Sequence, residues 1–178
     1  MPTKRLVLFV TVVGVDLLID QVAKWLVMQN LELGQSWQAL PFLQPLFRVT
    51  YSYNTGAAFG MFPMASSVFL VLAFIASVVF AVMYFNFGSE VTWLSLVGVP
   101  MIVGGALGNA IDRLRFDYVV DFFHVQVANF ANISNFADHA ITLGVILLFI
   151  DQVRIEREEQ AQKQEVTTAP VEEHEGIS

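Results

Sequence analysis

Twenty-two consecutive residues, Ser66 to Phe87 (SSVFLVLAFIASVVFAVMYFNF), carry no charged side chain. Nothing else in the chain restricts its fold so much. A helix crosses the hydrocarbon core of a bilayer in roughly 20 residues, and lipid offers no partner to a free backbone N–H or C=O. A run this long therefore reads as a spanning helix. Val91 to Ala110 is a second charge-free run. Leu6 to Val27 is apolar apart from Thr11, Asp16, Asp20, Gln21 and Lys24. Ala140 to Ile150 is apolar but short, and spans only if it extends from about Asp138 to Ile155. The expected spans are 6–28, 66–87, 91–110 and 138–155. Only 14% of residues are charged, against about 25% in soluble domains, which supports an all-α membrane protein built as a four-helix bundle in one domain, 1–155.

Lys4 and Arg5 before an apolar stretch resemble a secretory leader. The stretch is too long, no small-x-small site follows, and Asp20 and Lys24 interrupt it, so an uncleaved first helix is expected. Lys4 and Arg5 before the first span, with Arg154, Arg157 and Lys163 after the last, place both termini in the cytoplasm by the positive-inside tendency. Arg48, Arg113 and Arg115 oppose it. Asp151 to Ser178 holds eight acids and three bases, so most of the net charge of −7 belongs to this end. Residues 156–178 read as a disordered acidic cytoplasmic tail. No basic stripe suggests nucleic acid. There is no cysteine, hence no thiol nucleophile and no thiolate metal site.

On this topology the polar residues gather at one depth. Asp20 and Lys24 lie near the outer end of the first helix and Asn54 just before the second. Gly104, Gly105, Gly108, Asn109, Asp112 and Arg113 lie at the outer end of the third. Asp121, Asn132, Asn135 and Asp138 lie around the start of the fourth. Intramembrane polar groups are costly and normally face a protein interior or a watery cavity, so the convergence marks a site. Leu46 to Tyr53 and Tyr118 to Val127, rich in aromatic and β-branched residues, read as short paired strands on the same side. Trp37, Phe42, Phe47 and Phe123 rim that patch, which suits a membrane surface.

Several of these signals have a plain structural reading. Asp20 and Lys24, four apart with the acid first, suit an ion pair on one helix face, and Asp16, a turn earlier, is assigned no chemistry. Gly104 and Gly108 suit close helix packing. Arg113, taken to follow the end of the third helix, has donors for Asp112 or loop carbonyls. Asn54 and Asn135 each suit a cap for the following helix. His124 and His139 show no spacing with a third metal ligand, so no metal is expected.

Asp121 and Asp138 resist such a reading. Capping explains Asp138 alone, but not Asp121 inside VVDFFHV. Two carboxylates in one site cannot both ionise cheaply, so one retains a proton near neutrality. Such a pair supplies a general base for water and a general acid for a leaving amine. An aspartyl hydrolase is the leading reading of the residues alone, and a proton-coupled membrane carrier the second. A carrier calls for access from both faces and often related halves, and no internal repeat is evident.

Five blocks together add a resemblance: DQVAK in the first helix, YNTGAAFG before the second, GGALGNAIDR ending the third, VVDF in the outer loop, and NFADHAI opening the fourth. In this order, over most of residues 20 to 144, the chain resembles the lipoprotein signal peptidases, the bacterial signal peptidase II family. It departs at Ser134, where an apolar residue is expected. The resemblance implies a four-helix bundle with a small periplasmic β-sheet in the bacterial inner membrane, its active site at the outer face. It implies an aspartyl endopeptidase that needs no cofactor and cuts a prolipoprotein before a cysteine already carrying diacylglyceryl. It assigns Asp121 and Asp138 as the catalytic pair. Asn54, Asn109, Arg113 and Asn135 line the site, and Asp20, Lys24 and Gly105 support it. The expected partners are that lipidated substrate and membrane lipid, with the enzyme a monomer.

Overall fold

A computed structural model describes residues 2–38, 40–43, 46–56, 65–86, 88, 91–128 and 130–168. Four long helices dominate: α1 (Pro2–Asn30), α2 (Ala65–Phe85), α3 (Trp93–Phe116) and α4 (Phe136–Thr168). Each is long and apolar enough to cross a membrane. Leu72, Phe74, Ile75 and Val79 of α2 are exposed, as are Leu18, Val22 and Leu26 of α1. In lipid such faces need no protein cover, because the surrounding tails are as apolar as the side chains.

The buried helix is α3, where Val99, Ile102, Val103, Ala106 and Ala110 pack in the core. Glycines let its neighbours approach. A Cβ on Gly98 would sit 3.0 Å from the carbonyl oxygen of Gly144, and one on Gly105 would strike the carbonyl of Ala137. These contacts seat α4. Gly104 and Gly108 face α1 instead, where a Cβ would meet the carboxyl groups of Asp16 and Asp20. The expected small-xxx-small contact is thus present, with acids rather than a smooth apolar surface opposite it.

Both later helices outrun their expected limits. α3 continues six residues beyond Ala110 to Phe116, so Asp112 and Arg113 lie within it rather than at or after its end. It continues because Asp112 is paired inside the protein and Arg113 lays its guanidinium over the Phe69 ring of α2, 5.5 Å from the centroid. α3 stops at Asp117, whose left-handed φ of 64° returns its N–H to the Arg113 carbonyl. α4 begins at Phe136 and runs to Thr168, so 156–168 is helix where an irregular tail is expected. The segment is rich in good helix formers, and Arg154–Glu158 and Glu159–Lys163 pair at i,i+4 spacing. The tail from residue 169 on, Phe87 at the end of the expected second span, and residues 57–60 of YNTGAAFG lie outside the described residues.

One end of the bundle carries an antiparallel sheet in the order β1 (Ser36–Trp37), β2 (Phe47–Asn54), β3 (Val119–Val127), β4 (Phe130–Ser134). The two expected strands, β2 and β3, pair with each other, and a bulge between Val49 and Ser52 bends β2. At the opposite end, the Tyr84 hydroxyl donates to the Arg5 carbonyl and the Arg5 guanidinium to that of Gly88. There Thr92, the N-cap of α3, donates to the buried Asp151 of α4 at 2.6 Å.

Candidate active site

The sheet and the sheet-side ends of α1, α3 and α4 enclose a buried polar cluster. Its members include the two aspartates, of which Asp138 is the more exposed. Asp121 comes from β3, in the buried run Val119–Phe122. Asp138 lies in the first turn of α4 and is half-buried. Asn135 opens that helix with a reciprocal cap. Its side-chain oxygen accepts the Asp138 N–H at 2.9 Å, and the Asp138 carboxylate accepts the Asn135 N–H at 3.3 Å. This arrangement satisfies two donors that a helix start otherwise leaves open. Both expected caps, Asn135 and Asp138, are therefore present as one device.

Each carboxylate is also held by an asparagine amide. Asn135 Nδ2 donates to Asp121 Oδ1 at 2.7 Å, and Asn109 Nδ2 donates to Asp138 Oδ1 at 2.8 Å. The two asparagines are joined, since Asn135 Nδ2 reaches Asn109 Oδ1 at 3.1 Å. Asn109 is oriented from behind by Lys24, whose Nζ donates to the same oxygen at 3.1 Å. With its oxygen taken by an ammonium, Asn109 can present only N–H to Asp138.

Lys24 sits between two acids, 2.8 Å from Asp20 and 2.8 Å from Asp112. The expected i,i+4 pair is thus one half of a triad, and all three side chains are about 1% exposed. Gln21 bridges the acids, donating at 3.1 Å to Asp20 and 3.0 Å to Asp112. Asp112 and Gln21 extend the support beyond the residues expected for it. Asp112 pairs with Lys24 rather than with Arg113.

Arg113 donates to the Asn109 carbonyl at 3.3 Å, and its buried Nε has no hydrogen-bond partner among the described residues. Asn54 ends β2 and does not cap α2, which begins at Ala65. Its side-chain oxygen accepts the Gly56 N–H at 2.8 Å, a local turn that Gly56 permits with φ of 75°. Its amide also reaches Asp121. Gly105 contributes by letting α4 approach at Ala137, the residue before Asp138.

Burial, and then the charge of Asp138, push the Asp121 carboxyl up to about 6, with Asn54, Asn135 and Lys24 pulling the other way. The pair therefore keeps a proton at a pH where an ordinary aspartate has lost it. The two histidines among the described residues are occupied elsewhere: His124 contacts Arg48 and Thr50, and His139 the hydroxyl of Ser134. Ser134 is thereby accounted for as a buried partner at the end of β4.

Comparison with known proteins agrees with the fold and with the family resemblance. The profile of the family described as signal peptidase (SPase) II matches residues 12–154. The lipoprotein signal peptidase of Coxiella burnetii (strain RSA 493 / Nine Mile phase I) is 40% identical over 140 residues, covering 75% of this chain and 82% of that protein. The lipoprotein signal peptidase of Bacillus subtilis (strain 168) is 38% identical over 137 residues, covering 75% and 85%. A bacterial membrane enzyme solved in meso at 1.9 Å superposes with a TM-score of 0.72 at 27% identity, over 81% of this chain and 91% of that one. The chain belongs to the signal peptidase II family.

Proposed function

We propose that this protein is a membrane aspartyl endopeptidase that removes the signal peptide from diacylglyceryl-modified prolipoproteins, cutting before the lipidated cysteine, with Asp121 and Asp138 as the catalytic pair. The observation that carries this reading is the pair itself. Two carboxylates sit at the sheet end of the bundle, each fixed by an asparagine amide, one buried and one half-exposed. Membership of the family supports the substrate class.

The environments divide the roles. Asp121, buried and raised to about 6, is the member that carries the proton. At pH 7 about a tenth of it is protonated, and a seated substrate that excludes water increases that share. Asp138, reached from outside, takes a proton from water as the water oxygen attacks the scissile carbonyl. Asp121 donates a hydrogen bond to the carbonyl oxygen as charge develops there. The C–N bond then breaks, and the departing amine takes the Asp121 proton. Asp138 holds the proton from water, and one transfer within the pair resets it. No covalent intermediate is needed. The free Nε of Arg113 and the amide of Asn54 are the donors placed to hold the substrate backbone or the oxyanion.

The site lies on the outer face of the inner membrane, with both termini in the cytoplasm. The signal peptide enters sideways as an apolar segment, and the acyl chains stay in the outer leaflet. The test is incubation of the purified protein with a diacylated prolipoprotein and with the same precursor unlipidated. The expected result is release of the signal peptide from the first alone. An intact lipidated substrate rejects the activity.

A further inference from the structure

The two aspartates come from different elements, yet both are tied to one ion cluster by the residue that precedes them. The backbone N–H of Ala137, immediately before Asp138, donates to Asp20 Oδ1 at 3.0 Å. The backbone N–H of Val120, immediately before Asp121, donates to Asp112 Oδ2 at 3.0 Å. Asp20 and Asp112 are in turn joined by Lys24, 2.8 Å from each, and by the Gln21 amide. A single path therefore runs Val120, Asp112, Lys24, Asp20, Ala137, behind the pair and out of reach of any substrate.

We infer that Asp20, Lys24 and Asp112, bridged by Gln21, form a positioning clamp that sets the separation of the two active-site carboxylates. Asp112, which lies in the GGALGNAIDR block but to which neither the residues nor the resemblance assign a role, is its link to β3. The inference rests on the proposed roles of Asp121 and Asp138. Three features favour positioning over plain helix adhesion. Both acids, besides their bonds to Lys24 and Gln21, spend an oxygen on a backbone N–H one residue from a carboxylate. Both bonds are made to a carboxylate, at 3.0 Å each, which strengthens them relative to neutral pairs. Lys24 also fixes the Asn109 amide that donates to Asp138, so the same ammonium controls both position and orientation.

Hydrolysis by a carboxylate pair needs a water held between them, and a displacement of about 1 Å can cost about a hundredfold in rate. Removing Asp112 releases the Val120 N–H and lets the start of β3 drift. The coupling between the two carboxylates depends on their separation, so the interval between the two limbs of the pH–rate profile must change as well. The groups facing the pair are Asn54 from β2, Asn109 and Arg113 from α3, Lys24 from α1 and Asn135 at the head of α4. Substitution at Asp112 removes none of these groups, although it takes one of the two carboxylate partners from Lys24.

The experiment uses full-length protein in detergent, with a diacylated prolipoprotein as substrate. Single-turnover cleavage across pH and affinity for the uncleaved substrate are measured for Asp112→Ala, Asp112→Asn and Asp138→Asn. Asp112→Ala should cleave about a hundredfold more slowly. Asp112→Asn keeps an oxygen for Val120 but not the charge facing Lys24, and should lose about tenfold. Both should bind substrate within about threefold of wild type and show an altered interval between the limbs. A folded Asp112→Ala with the wild-type rate, or a slow one with an unaltered profile, overturns the clamp. If Asp112→Ala does not fold, Asp112→Asn decides: a folded protein with wild-type rate and profile overturns it equally. Asp138→Asn separates the two ideas. An inactive Asp138→Asn beside unaffected Asp112 variants sinks the clamp alone, whereas an active Asp138→Asn removes the pair and the clamp with it.

Discussion

At the scale of single residues, the site holds a carboxyl in conditions that do not suit its charged form. Asp121 titrates near 6 rather than 3.8, so the folded protein holds that proton more tightly than the unfolded chain. Below about pH 3.8 both states are protonated and the group costs nothing. Between 3.8 and 6 a penalty on the folded state develops, and above 6 it is complete at roughly 2 to 3 kcal/mol. Asp121→Asn should therefore raise thermal stability at pH 7 to 8, with the gain shrinking towards pH 4. Melting curves across that range check it, and a variant less stable at pH 8 than at pH 4, relative to wild type, contradicts it. Asp121 and Asp138 are legible in the sequence because they stand in apolar surroundings with no lysine or arginine between them. Asn109 is marked by the convergence of polar residues and by the family resemblance as lining the site, but its hydrogen-bonding part is not readable from the sequence. Its part, donating to Asp138 while Lys24 occupies its oxygen, depends on α1, α3 and α4 meeting at one point. For the same reason DQVAK reveals the Asp20–Lys24 pair but not Asp112, the third member on another helix.

At the scale of elements, the distance between α3 and α4 controls where Asp138 sits. Gly105→Ala would drive a methyl group into the Ala137 carbonyl and push the start of α4 outward. Overpacking of this kind costs about 1 to 3 kcal/mol, and turnover should fall at least tenfold, since Asp138 follows directly. Gly14→Ala is the control: a Cβ there meets nothing within 4 Å, so melting temperature and rate should hold or rise slightly. Equal losses in both variants would show that glycine substitution harms these helices in general. Helix identity is readable from hydropathy, but helix ends are not. Asp112 and Arg113 look like a terminus until their partners across the bundle are known, and α4 runs past Ile155 on helix propensity and i,i+4 pairs rather than apolarity. Strands β2 and β3 announce themselves by composition. β4, FANIS, has too few β-forming residues to do so, and β1 is two residues long. The far end of α4 lies at the opposite end of the bundle from the pair, so truncation after Gln160 should leave turnover within a few-fold. A large loss in a folded, inserted truncation would give that segment a part in catalysis.

At the scale of the whole molecule, the four helices suspend one polar cluster at one end of an apolar bundle, and a short sheet supplies the second carboxylate. The chemistry is assigned to carboxylates, so cleavage should persist in the presence of a strong chelator. Loss on chelation with recovery on adding zinc would shift the account to a histidine-containing site. The most direct test is single-turnover cleavage of a diacylated prolipoprotein by folded wild type, Asp121→Asn, Asp138→Asn and the double variant across pH. Asparagine keeps the size and hydrogen-bonding reach of aspartate but cannot take up or release the proton. Each single variant should be nearly inactive while still binding substrate. The double should be little worse than either, because the two groups act as a unit. The wild-type profile should be bell-shaped, with limbs belonging to the pair. A near-normal rate in either single variant, or losses that simply multiply in the double, would contradict the assignment of Asp121 and Asp138 as the catalytic pair.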